Sequence, residues 1–134
     1  MKSPNEPEAP RLRVGALRGA TSVGTNERDA IVVATAELLR EMLARNGLGP
    51  DDVISVFFTA THDLTAAFPA AAARALGLSE AALMCAAEID VPGALRRCVR
   101  VLAHVHTSRR QAELEHVYLG DARRLRSDLE APDE

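Results

Sequence analysis

The chain has 134 residues, 47% of them hydrophobic, which suffices for one compact core and is too short for two domains of ordinary size. A formal net charge of −3 excludes a general nucleic-acid binder, whose signature is a basic excess. No apolar run approaches the roughly 20 residues that span a bilayer, so no membrane partner is expected. Lys2 is the one lysine against many arginines, a bias that suits planar recognition of carboxylates but that GC-rich coding would also produce.

Residues 1–10 (MKSPNEPEAP) are polar and proline-rich without an apolar stretch, and read as a disordered extension rather than a signal peptide or helix. Residues 11–130 are expected to form the single domain, with a loose acidic tail at 131–134. Arg11–Gly19 alternates, Leu12, Val14 and Ala16 sharing a face with Arg18, which predicts a half-buried strand ending in an inward-pointing arginine. Thr21–Gly24 reads as a turn. Asn26, with Asp29 three residues on, predicts a cap for a helix to about Asn46, in which Ile31, Ala34, Leu38 and Met42 recur at helical spacing and Gly47 supplies the stop.

Val53–Thr61 is apolar on both faces and predicts a strand placed centrally in a sheet. His62, Asp63 and Leu64 follow as loop. Pro69 opens a second, alanine-rich helix to Leu76, closed by Gly77. Leu83–Ile89 is a short strand, and Pro92-Gly93 a turn. Arg97–Thr107 alternates cleanly, with Val99, Val101, Ala103 and Val105 on one face and Arg100, Leu102, His104 and His106 on the other. A short helix is expected at Gln111–His116 and a brief strand at Val117–Leu119. This order predicts an α/β (α+β) domain with a mixed sheet.

The chemistry-bearing oddities are arginines at strand and helix positions. Arg100, Arg18 and Arg74 each admit two readings, a solvated face or a cation reaching into a pocket toward a substrate anion. Glu88 ends an apolar strand and either faces water or, turned toward an arginine, stays ionised and accepts a hydroxyl. Cys85 and Cys98 match no zinc, redox or disulfide spacing and read as thiols of a reducing cytoplasm. His104 and His106 share a strand face without a companion acid or thiol, so no metal is assigned. Tyr118 is the one tyrosine, and Arg123, Arg124 and Arg126 cluster without interleaved aromatics. No phosphate loop, nucleophile elbow or zinc protease motif is present.

Read in order, LRGATS (17–22), ATHDLTAAFPA (60–70), CAAEIDVPGALRRCVRV (85–101), HVYL (116–119) and RLRSDL (124–129) resemble the monofunctional trimeric α/β class of chorismate mutase, the AroH class. The likeness covers about residues 12–130. It implies a mixed five-stranded sheet with helices on one face, three sheets packed into a trimeric pseudo-barrel, and active sites at the subunit clefts. It further implies rearrangement of chorismate to prephenate in the cytoplasm, toward phenylalanine and tyrosine, with no cofactor.

By position, the resemblance assigns Arg18 and Tyr118 to a substrate carboxylate, and Phe68 and Arg74 to the pocket wall. Cys85 and Glu88 go near the ring hydroxyl, Arg100 to the ether oxygen, Leu125 to pocket closure and Arg126 to the rim. Two departures stand out: Ala71 where a relative can carry a lysine, and Ser127 in place of a proline in the closing segment. Strict alternation also sets Cys85 and Glu88, three apart, on opposite faces. The competing readings are a Rid-type imine deaminase and a non-catalytic small-carboxylate-binding trimer of similar architecture.

Overall fold

The computed structural model describes residues 12–125; the extension at 1–10, the tail at 131–134, Arg126 and Ser127 lie outside the described residues. In chain order the elements are β1 (Arg13–Ser22), α1 (Arg28–Arg45), β2 (Val53–Ala60), α2 (Ala71–Ala75), β3 (Ala82–Ala87), β4 (Cys98–Thr107) and β5 (Val117–Leu119). The five strands form one sheet in the order β3-β2-β4-β1-β5. β4 pairs antiparallel with β1 and β2, whereas β2–β3 and β1–β5 are parallel, so the sheet is mixed as expected. β2 lies inside the sheet, though β4 takes its centre.

One face of the sheet carries the core. Leu17, Val56, Phe58, Val99, Val101, Ala103, Val105 and Val117 point to it and pack against Ile31, Leu38, Leu39 and Met42 of α1. Each fully buried aliphatic or aromatic side chain contributes roughly 1.5–3 kcal/mol, so this layer carries the fold. Gly19 marks the closest approach of helix to sheet. A Cβ there would stand 2.6 Å from Met42 Sδ and 3.1 Å from Leu38 Cδ1.

β1 corrects the expected orientation. Its buried row is Gly15, Leu17, Gly19 and Thr21, while Leu12 and Val14 are 69% and 64% exposed on the face away from the helices. Both rows are apolar enough to be buried, and the glycines decide: only their row lets the helix approach closely. The strand also runs on through Thr21 and Ser22, which puts Arg18 in mid-strand.

Asn26 does not cap α1. Glu27 holds the N-cap position without a side-chain bond. The Asn26 amide instead accepts from the Thr65 and Ala66 backbone N–H groups at 2.9 and 3.0 Å and donates to Thr65 Oγ1. At the other end Gly47 takes φ +64°, the left-handed stop read from the sequence. Buried Asn46 ties that terminus down, donating to Met42 O and Glu115 O and accepting from Glu115 N. The second helix is shorter than expected, and Gln111–His116 forms only a 3-10 turn at Gln111–Glu113. Among the described residues no helix is long and apolar enough to cross a membrane.

Candidate active site

The register of the sheet builds the site. Thr59 pairs with Arg100, Arg100 with Ala20, and Ala20 with Tyr118, so four strands form one row across the face away from the helices. The next row is Phe57, Leu102 and Arg18. Side chains paired across a ladder point to the same face. The register therefore turns Arg18, Arg100 and Tyr118 into one cleft.

Glu88 completes it. β3 ends at Ala87, but the Glu88 amide still donates to Ala60 O at 2.9 Å, keeping the chain alongside β2. Glu88 Oε1 lies 3.1 Å from Arg100 Nε and accepts a short hydrogen bond from the Thr59 hydroxyl. Arg18, Thr59, Glu88, Arg100, Tyr118 and Leu125 line a cleft of about 520 Å³, walled by Phe57, Val101 and Leu102. The terminal guanidinium nitrogens of Arg100, the side chain of Arg18 and the Tyr118 hydroxyl make no hydrogen bond to protein among the described residues.

Second-layer contacts hold these groups. The Arg18 backbone N–H donates to His116 Nδ1 at 2.9 Å, which gives the histidine of the HVYL segment a structural task. Arg97, just before β4, has φ +44° and is clamped by Asp63, whose carboxylate accepts from the Arg97 backbone N–H at 3.0 and 3.1 Å. Burial alone would raise the Asp63 pKa. Hydrogen bonds from Thr61 and the Arg97 amide outweigh it and bring the group below its ordinary value. At the start of β4, on the same face as Arg100 and packed against Ala20 and Ala122, the Cys98 thiol is pushed by burial up to about 11, so it stays protonated and inert.

Phe68, Arg74 and Cys85 are elsewhere. They line a second cleft of about 1140 Å³, together with Ala71, His62 and Arg28 from the start of α1. The two clefts share no lining residue. Cys85 pairs with Phe58 and so faces the helices, whereas Glu88 follows Ala86, which pairs with Thr59 on the other face. Alternation therefore separates Cys85 from Glu88 within one chain. Arg126 falls outside the described residues.

Two lining residues escape the sequence reading. Thr59 is one of three hydroxyl residues, with Ser55 and Thr61, in a mostly apolar run, and nothing in the sequence singles it out. Arg28 had none, because the distance in sequence from Arg28 to Phe68 hides their shared cleft. His104 rests 3.2 Å from Ser55 Oγ, and no group of three or more potential ligands forms a metal site among the described residues.

Such a cleft suits a small polyanion held by fixed cations. Among the described residues its lining has no thiol, amine or imidazole to act as a nucleophile or free base.

Residues 14–129 match the family described as Chorismate mutase type I. The chorismate mutase AroH of Thermus thermophilus is 47% identical over 119 residues, covering 88% of this chain and 98% of the relative. The AroH chorismate mutase of Bacillus subtilis is 38% identical over 119 residues, covering 88% and 94%. A solved chorismate mutase from Clostridium thermocellum superposes with a TM-score of 0.79 at 54% identity, covering 81% of this chain and 96% of that one. Fold and site thus define an isomerase on a mixed α/β sheet. The chain belongs to the type I, AroH-class chorismate mutase family.

Proposed function

We propose that the chain converts chorismate to prephenate in a composite site, one cleft from each of two neighbouring subunits of a homotrimer. The observation that carries this reading is the charged row itself: Arg100 paired with Glu88, with the Arg18 and Tyr118 side chains on the same face and without a hydrogen-bond partner among the described residues. The comparisons do not favour the imine-deaminase alternative.

The reaction is an intramolecular Claisen rearrangement in which a C–O bond breaks as a C–C bond forms. No proton, electron or group passes to the protein. Catalysis therefore rests on geometry and on charge that fits the transition state better than the substrate. Arg18 and Tyr118 hold a carboxylate and fold the enolpyruvyl arm over the ring. Arg100 offers its free nitrogens to the ether oxygen as negative charge builds there. Glu88 accepts the ring hydroxyl and favours the positive character left on the ring. Leu125 closes the mouth.

The second cleft supports the subunit-shared site. Phe68 is 76% exposed and Arg74 lies on the surface of α2, unusual settings for groups that line a pocket unless another chain covers them. Across a subunit boundary, Phe68, Arg74 and Cys85 of one chain would face the charged row of the next. The enzyme works in the cytoplasm, in aromatic amino-acid synthesis.

The direct test follows chorismate by ultraviolet absorbance with purified protein. Its disappearance with formation of prephenate, unaffected by a chelator, is the expected result. Tight binding of a bicyclic transition-state analogue without turnover would instead support a ligand-binding trimer.

A further inference from the structure

Glu88 and Arg100 raise a geometric problem. A carboxylate beside a guanidinium tends toward the two-bond, fork-to-fork pair, in which the arginine's terminal nitrogens are consumed by the carboxylate. Here the nearest approach is from Nε, 3.1 Å from Glu88 Oε1, an ion pair without the two parallel hydrogen bonds of the fork. The Thr59 hydroxyl donates to that same oxygen. Thr59 is the residue paired directly with Arg100 across the β2–β4 ladder, so the backbone fixes its position against both partners. Glu88 Oε2 has no protein partner among the described residues.

We propose that Thr59 is a positioning residue for the rearrangement, pinning Glu88 Oε1 so that Arg100 cannot close into a two-bond pair and Oε2 stays open to the substrate hydroxyl. The inference rests on the roles given above to Glu88 and Arg100, and it adds a residue that no sequence motif marks. The Thr59 hydrogen bond and the neighbouring Arg100 charge, both at Oε1, set the orientation of the carboxylate. Without the hydroxyl, the carboxylate is free to rotate and present both oxygens to the guanidinium. Arg100 would then lose the nitrogens that meet the ether oxygen. Substrate capture through Arg18 and Tyr118 would be little affected.

Thr59→Val keeps the β-branched shape and removes only the donor. Its kcat should fall by about ten- to a hundredfold, the range expected when a hydrogen bond to a charged group is lost, with KM changed by less than about threefold. Thr59→Ser should recover most of the rate. In a Glu88→Ala background, adding Thr59→Val should cost less than about twofold, because a residue acting through Glu88 has nothing left to position. Trimer mass and thermal unfolding are followed alongside, so that a packing defect is seen as such.

The proposal is overturned if Thr59→Val turns over at the wild-type rate, or if its full penalty persists in the Glu88→Ala background. A harmless Glu88→Ala would remove the role of Glu88 and the proposal with it. Loss of the parent reading differs from all of these: the wild-type protein itself would then leave chorismate unchanged.

Discussion

Arg100 approaches Glu88 most closely through Nε, and among the described residues its terminal donors make no hydrogen bond to protein, which leaves a fixed cation facing the cleft. If those donors act on the ether oxygen, their contribution grows along the reaction coordinate and appears in kcat more than in binding. Arg100→Ala should lower kcat by at least about 10²–10³, the usual loss for an oxyanion donor, while circular dichroism stays unchanged. Arg100→Lys keeps the charge without the planar fork and should recover little. Near-native turnover in Arg100→Ala would make it a solvated strand arginine. Asp63 gives a second prediction. Its folded pKa lies below the ordinary 3.8, so the unfolded chain takes up its proton first as pH falls. The stability it contributes is complete above that ordinary value and is lost as pH drops through the folded one. Urea midpoints of Asp63→Asn and wild type should therefore converge toward acid pH, and a constant gap down to pH 2 would contradict the assignment. At this scale the sequence was informative where residue type and motif coincided, at Arg18, Glu88, Arg100 and Tyr118. Thr59 and Arg28 were hidden because their places in the two clefts arise from pairing register and from chain packing that spacing does not encode.

Strand β4 and helix α1 were legible because their apolar period matches one element type, and β2 because a short run apolar on both faces reads as an inner strand. β1 was legible as a strand but not in its orientation. Alternation says that two rows exist, whereas the close fit of Gly15 and Gly19 against Leu114, Met42 and Leu38 says which row the core takes. Gly19→Ala tests that fit. The Cβ meets a flexible Met42 and a leucine methyl, so the cost should be about 1–3 kcal/mol of overpacking, read as a lower urea midpoint. An unchanged midpoint would show that α1 yields without strain. The same helix depends on Asn46, which is buried and binds the backbone at Met42 and Glu115. Asn46→Leu leaves those groups unpaired and should cost about 1–3 kcal/mol or more. A neutral effect in the same unfolding measurement would mean that water replaces the amide. The expected Asn26 cap failed because Thr65 and Ala66 offered backbone donors to its amide, a tertiary competition that local sequence does not reveal.

Among the described residues much of one sheet face is uncovered, with Val14, Phe57, Met84 and Leu102 exposed beside the charged row. An apolar face of this kind marks an association surface. Light scattering on the purified protein should report three chain masses, and a stable, active monomer would remove the proposed architecture. The separation of the two clefts is legible only in three dimensions. In sequence, Cys85 and Glu88 look like one motif, yet the pleat sends them to different clefts. The most direct test of a shared site mixes two defective proteins. Arg100→Ala damages the charged row, and a Phe68→Ala/Arg74→Ala protein damages the other cleft; each alone should be nearly inactive. Co-refolded in equal amounts, random assembly should restore about one site in four, since each site draws on two neighbouring subunits of a closed ring. Recovery of chorismate turnover to about that fraction of the wild-type rate is the predicted result. Turnover no higher than the mean of the two parents, in trimers shown to be mixed, would contradict it.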